Sequence, residues 1–217
     1  MPPKPSFLAL GDIHLDPLIW RRHRDITGDA EASWMSFIDH AINLKIPIVI
    51  VGDLFDSIDP PTTMVQVFRE SMEICQANGV EVFAIQGNHD KRLPIPWYCA
   101  VSPHPRHFGD GTLTTINGIK TVGIDYSTQD VIQERLATIT SQIDQNPVQV
   151  LFLHQAVKQG LKFQDAWNCD INWVPDAIPL VILGDLHAPI DIPRAKGHAL
   201  YTGSSHPRSL AEVPWAA

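Results

Sequence analysis

Two hydrophobic rhythms alternate along this chain. Short unbroken apolar runs, FLAL, IVIV, FAI, VLFL and LVIL, read as parallel strands buried on both faces. Between them, apolar residues return every third or fourth position. Asp29 to Leu44 carries Trp34, Phe37, Ile38, Ala41 and Ile42 on one stripe, predicting a helix capped by Asp29. Thr62 to Asn78 repeats the pattern through Val65, Phe68, Met72 and Cys75, with Pro60 and Pro61 before it and Gly79 after it. A third helix is predicted from Thr128 to Gln145, with Ile132, Leu136, Ile139 and Ile143 inward and Asn146-Pro147 as its stop. These stripes are core-forming faces, not cofactor sites.

The alternation breaks between Leu93 and Asp110, a stretch rich in Pro and His without periodicity. It leads into TLTTI, Asn117-Gly118 and IKTVGI, and an Asn-Gly pair between two β-rich runs predicts a hairpin. Strands alternating with helices, plus an antiparallel hairpin, predict an α/β fold, a two-sheet β-sandwich flanked by helices.

The length of 217 residues suits one well-buried domain spanning the chain. The longest apolar runs fall far short of the roughly 18 residues of a membrane span. The start, MPPKPSF, lacks the apolar centre of a signal peptide, so a cytoplasmic protein that does not enter membranes is expected. Cys75, Cys99 and Cys169 are odd in number and widely spaced, which fits reduced thiols better than disulfides or a zinc ribbon. The net charge of -8 weakens a nucleic-acid reading, because such affinity usually comes from Lys and Arg on phosphates. Global charge is not local charge, so the balance weakens that reading without excluding it.

The chemistry gathers where strands stop. Four runs end in glycine and then an acid or amide, at Asp12, Asp53, Asn88 and Asp185, and a fifth ends on His154. Three of the four add an imidazole within two residues, His14, His89 and His187. Gly-Asp after a strand is ordinary turn chemistry when met once. Loops at the carboxyl ends of parallel strands form one crevice, so five such ends point to a metal centre.

Taken together, Asp12-Ile-His14, Gly52-Asp53-Leu54-Phe55-Asp56, Gly87-Asn88-His89-Asp90, His154 and Gly184-Asp185-Leu-His187 resemble the calcineurin-like metallophosphoesterases in order and spacing. GDLFD, IQGNHD and the Gly203-Ser-Ser205 that follows are most similar to the SbcD-type DNA double-strand-break repair nucleases, including phage forms. The resemblance implies a four-layer α/β/β/α fold and two divalent ions, with Mn²⁺ the first expectation and Mg²⁺, Fe²⁺ or Zn²⁺ alternatives. By that pattern Asp12, His14 and His187 hold one metal, Asn88, His154 and Asp185 hold the second, and Asp53 bridges them. The family usually has His where Asp185 stands, and a carboxylate there favours harder ions such as Mn²⁺ or Mg²⁺ over zinc. The implied reaction is phosphodiester hydrolysis by water activated between two metals, as in a DNA exonuclease or endonuclease. His89 is expected to stabilise charge and protonate the leaving oxygen, and Asp56 to orient His89.

Arg21, Arg22 and Arg24 beside Trp20, with Lys91 and Arg92 after GNHD, are candidate contacts to the substrate backbone, while His104, Arg106 and His107 are weaker ones. The implied partners are DNA, bound weakly and salt-dependently, an SbcC-type SMC-like ATPase and a second copy of the chain. The capping and ATPase-binding regions of that branch are expected to be absent, as in a minimal or phage-type nuclease or a fragment. Two other classes stay open: a phosphoesterase for a small molecule or phosphoprotein, and a non-catalytic scaffold.

Overall fold

Each apolar run predicted as a strand is one. A computed structural model describes residues 5–16, 28–90, 95–161 and 166–207. Strands β1 (Leu8–Leu10), β2 (Ile48–Val51) and β3 (Val82–Ile85) lie side by side and parallel, and a two-residue strand β4 (Arg106–His107) closes this sheet. Helix α1 (Asp29–Leu44) joins β1 to β2, α2 (Thr62–Ala77) joins β2 to β3, and a short α3 (Trp97–Val101) precedes β4. The second sheet holds the predicted hairpin, β5 (Asp110–Ile116) with β6 (Ile119–Ile124), turned by Asn117 and Gly118 at φ 47° and 83°. After α4 (Gln129–Gln142) come β7 (Val150–His154), β8 (Leu180–Gly184), β9 (Ile190–Pro193) and β10 (His198–Tyr201). Its order is β5-β6-β7-β8-β10-β9, with β6, β7, β8 and β10 parallel and the two edge strands antiparallel.

Period-two alternation divides the apolar side chains among three cores. In β2, Ile48 and Ile50 pack outward against α1 and α2, beside Trp34, Ile38, Phe68 and Met72. Val49 and Val51 point the other way and meet Val150 and Phe152 between the sheets. Leu151 and Leu153 of β7 then face α4 through Ile132 and Leu136. The layers are therefore helix, sheet, sheet, helix.

Three sequence expectations are adjusted, and one strand pair lies outside them. The N-cap of α1 is Gly28, at φ 88°, and Asp29 sits inside the first turn, where its charge suits the positive end of the helix dipole. Helix α4 ends at Gln142 rather than Gln145. The stretch 93–110 contains α3 and β4, too short to show any period. The β9–β10 pair was not predicted, because each strand buries only alternate residues and leaves no continuous apolar run. Among the described residues no helix is long and apolar enough to cross a membrane.

Candidate metal centre

The carboxyl ends of β1, β2 and β3 in one sheet meet those of β7 and β8 in the other, and the seven candidate ligands stand at that seam. The loop after β1 runs beside the loop after β2, with Asp12 N–H donating to Gly52 O at 3.2 Å and His14 N–H to Asp53 O at 3.0 Å. Four of the seven, Asp12, His14, Asp53 and Asp185, have left-handed backbones at φ 51°, 47°, 50° and 96°. Non-glycine residues take that conformation at a cost, and such strain collects at functional sites.

Glycine precedes the acid or amide in four of these corners, but only Gly52 has positive φ, 82°, so only there is a glycine turn required. The others supply room. A Cβ on Gly184 would stand 2.6 Å from His154 Nδ1, and one on Gly87 would stand 2.0 Å from Asp53 Oδ1. At Gly11, Gly87 and Gly184 the glycine serves close approach rather than turn chemistry.

Two groups of donors form. In the first, His14 Nε2 lies 3.2 Å from His187 Nε2, 3.9 Å from Asp12 Oδ1 and 3.8 Å from Asp53 Oδ2. In the second, His154 Nε2 lies 3.2 Å from Asn88 Oδ1, 3.8 Å from Asp185 Oδ1 and 3.5 Å from Asp53 Oδ2. One carboxylate oxygen of Asp53 thus faces both groups. Ligands about 2.0 to 2.2 Å from a common ion stand about 3 to 3.6 Å from one another, close to this spacing. Two imidazole nitrogens converge to 3.2 Å, an arrangement that suits a cation between them. His154 is further prepared, because its Nδ1–H donates to Val51 O at 2.7 Å and leaves Nε2 free to ligate. Donors of this kind, without thiolate, fit a divalent ion.

The charges are consistent with the same use. Burial pushes the Asp12 carboxyl up to about 6, Asp53 adding to it while His154 and His187 oppose it. Burial would also raise Asp53, but His154, with His14 and His89, outweighs it and holds that carboxyl well below the usual range. For His154, burial disfavours the charged ring, yet Asp53, Asp12 and Asp185 together push it up to about 10. Asp185 is raised by burial, with His154 opposing. Positive charge is in demand here, and a divalent cation would supply it.

His89 stands at the mouth. Its ring is 31% exposed, Nε2 is 3.9 Å from Asp53 Oδ2, and its main-chain N–H donates to Asp53 Oδ1 at 3.0 Å. The hydrogen bond that fixes its Nδ1–H runs at 2.6 Å to the main-chain carbonyl of Asp56, whose carboxylate instead approaches His14. The expectation that the Asp56 side chain orients His89 is thus revised to its backbone. Arg21, Arg22, Arg24, Lys91 and Arg92 lie outside the described residues. His104 Nε2 donates to the Val80 carbonyl at 2.8 Å, and Arg106 pairs with Glu81, so both sit toward the opposite end of the first sheet.

Two residues without a sequence-assigned role hold the seam. The buried Asp90 carboxylate accepts from Asp53 N–H at 2.9 Å and from Gly87 N–H at 2.8 Å, tying two corners together. Burial and the charge of Asp53 push it up to about 7. Asp125, after β6, accepts from Gln86 N–H at 2.8 Å and meets His107 Nε2 at 2.9 Å, fastening the β3 corner to the second sheet. Asp90 carries a signal by standing inside GNHD; Asp125 carries none.

Compared with known proteins, residues 5–189 match the family model described as calcineurin-like phosphoesterase. The DNA double-strand break repair protein Mre11 of Sulfurisphaera tokodaii is 26% identical over 203 residues, covering 85% of this chain and 49% of that protein. The chain therefore spans about half the length of this curated relative. Among solved structures, TT1561 of Thermus thermophilus is similar at a TM-score of 0.60 and 12% identity, covering 92% of this chain and 89% of that one. Phosphopantetheinyl hydrolase (PptH) of Mycobacterium tuberculosis follows at a TM-score of 0.56 and 13% identity, covering 93% and 90%. At these identities the structural likeness concerns the fold.

Proposed function

The chain belongs to the calcineurin-like phosphoesterase family, and from that premise we propose that it is a two-metal phosphodiesterase whose substrate is DNA. The observation that carries the reading is Asp53 Oδ2, 3.8 Å from one histidine of the first donor group and 3.5 Å from that of the second. Asp12, His14 and His187 would hold one ion and Asn88, His154 and Asp185 the other, sharing Asp53. Two divalent ions so placed would activate water near neutral pH and stabilise the oxygens of an in-line displacement at phosphorus. With three carboxylates and an amide in the donor set, Mn²⁺ is the ion we expect.

The chain's own groups do the rest. His154 and His14 present fixed ring nitrogens from wholly buried positions, so they need little reorganisation on loading. His89 keeps its Nδ1 hydrogen on the Asp56 carbonyl, which turns Nε2 toward the cluster and the open mouth. A proton on that Nε2 can stabilise charge on the phosphoryl oxygens and pass to the leaving oxygen. The likeness to Mre11 of Sulfurisphaera tokodaii supports a DNA strand as substrate. The basic residues Arg21, Arg22, Arg24, Lys91 and Arg92 would touch its phosphates. A small phosphodiester is the second reading, favoured by the net charge of -8.

Calorimetric titration with Mn²⁺ tests the centre, with two ions per chain expected. Cleavage assays on bis-p-nitrophenyl phosphate and on linear and single-stranded DNA test the substrate. Turnover of the small ester with no DNA cut would replace the first reading by the second, and no ion bound would remove both.

A further inference from the structure

We infer that the Asp56 carboxylate is the positioning partner of His14, drawing on its Nδ1–H so that Nε2 is presented to a cation, while the main-chain carbonyl of Asp56 serves His89. The inference rests on the proposed metal centre.

The His14 ring is buried and two-sided. Its Nε2 meets the first donor group, with His187 Nε2 at 3.2 Å, Asp53 Oδ2 at 3.8 Å and Asp12 Oδ1 at 3.9 Å. Its Nδ1 points the other way, to Asp56 Oδ1 at 3.4 Å. An imidazole that offers Nε2 to an ion keeps its hydrogen on Nδ1, and a buried N–H requires an acceptor. The carbonyl of Asp56 already accepts from His89 Nδ1 at 2.6 Å. The His14 and His89 rings stand edge to face, centroids 5.2 Å apart and planes at 86°, so a single residue reaches both with two different oxygens. At 3.4 Å the His14 contact is a close approach of ring and carboxylate that has not closed into a hydrogen bond.

The two buried imidazoles are therefore backed differently. His154 donates to a neutral carbonyl, that of Val51. His14 faces a carboxylate, which draws more strongly on Nδ1–H and makes Nε2 the better donor to a metal. The half of the centre built on His14 should be the tighter site, and Asp56 is what makes it so.

The experiment titrates Mn²⁺ by calorimetry into the wild-type chain, Asp56→Asn and Asp56→Ala, alongside long-range proton–nitrogen spectra of the histidines in Zn²⁺-loaded protein. One of the two sites is expected to weaken about 10- to 100-fold in both variants, as for other partners of ligating histidines, while the other keeps its affinity. The His14 spectrum should show hydrogen on Nδ1, with a proton resonance displaced downfield that moves back in Asp56→Asn. Unchanged affinities at both sites with an unmoved His14 resonance would overturn the inference while leaving the metal centre standing. A wild-type chain that binds no Mn²⁺ would overturn both. If the variants do not fold, a wild-type His14 that lacks a hydrogen on Nδ1 is itself sufficient to reject the assignment.

Discussion

His89 lies beside the Asp53 carboxylate, 3.9 Å from it, and its main chain is anchored by the same side chain. Because its proposed work is on charge and protons, His89→Ala should slow phosphodiester cleavage by about a hundredfold or more. Calorimetry on the same variant should still count two Mn²⁺ per chain, and losing an ion would reassign His89 as a ligand. At this scale the donors were legible in the sequence because each ends or closely follows an apolar strand, where direction and depth are set by the strand itself. The parts played by Asp56 and Asp90 were not. Their roles depend on which oxygen of a residue meets which neighbour, and chain spacing does not encode that. The glycines were legible in position but not in purpose, since close approach at Gly184 or Gly87 comes from a second segment far away in the chain.

The hairpin turn gives a clean test at the level of elements. Asn117 and Gly118 join the amino end of β6 to β5, whereas His154 ends the neighbouring parallel strand β7 at its carboxyl end, so turn and metal centre occupy opposite ends of the sheet. At Gly118, φ is 83° and a Cβ would meet nothing within 4 Å, which leaves backbone strain as the sole penalty. Gly118→Ala should cost about 1 kcal/mol and lower Tm by about 2 to 4 °C for a chain of this size. Mn²⁺ stoichiometry and turnover should not change; altered metal binding would mean that the two ends of the sheet are coupled. The turn, the five buried strands and the stripes of α1, α2 and α4 could be read in advance because each satisfies a period by itself. Helix α3 and strand β4 have too few residues to establish one, and β9 and β10 leave no continuous apolar run, so their form is set by the neighbours they pack or pair with.

Across the whole molecule, the two outer cores each bury a thiol, Cys75 on the inner face of α2 and Cys169 in the core that α4 covers. Burial pushes Cys75 up to about 11 and Cys169 up to about 12. A thiol raised on folding contributes stability below its unfolded value, near 9, and loses it as pH climbs toward the folded value. Urea midpoints should thus fall between about pH 9 and 12, and a thiol reagent at pH 8 should leave both cysteines unmodified until the chain unfolds. Modification of Cys75 or Cys169 in the folded protein at the rate of an exposed thiol would refute the burial. The seam has a further consequence. Its donors come from both sheets and from residues as far apart as Asp12 and His187, so the binding geometry exists only when the sandwich is assembled. Whatever ion the centre takes is then linked to folding: at about 100 times its Kd it should add about 2.7 kcal/mol, raising Tm by about 5 to 10 °C. A melting curve that ignores added Mn²⁺ would break this linkage. If it holds, chelation weakens the protein before any substrate is offered, and the free metal of its surroundings sets how much of the chain stays folded as well as how fast it works.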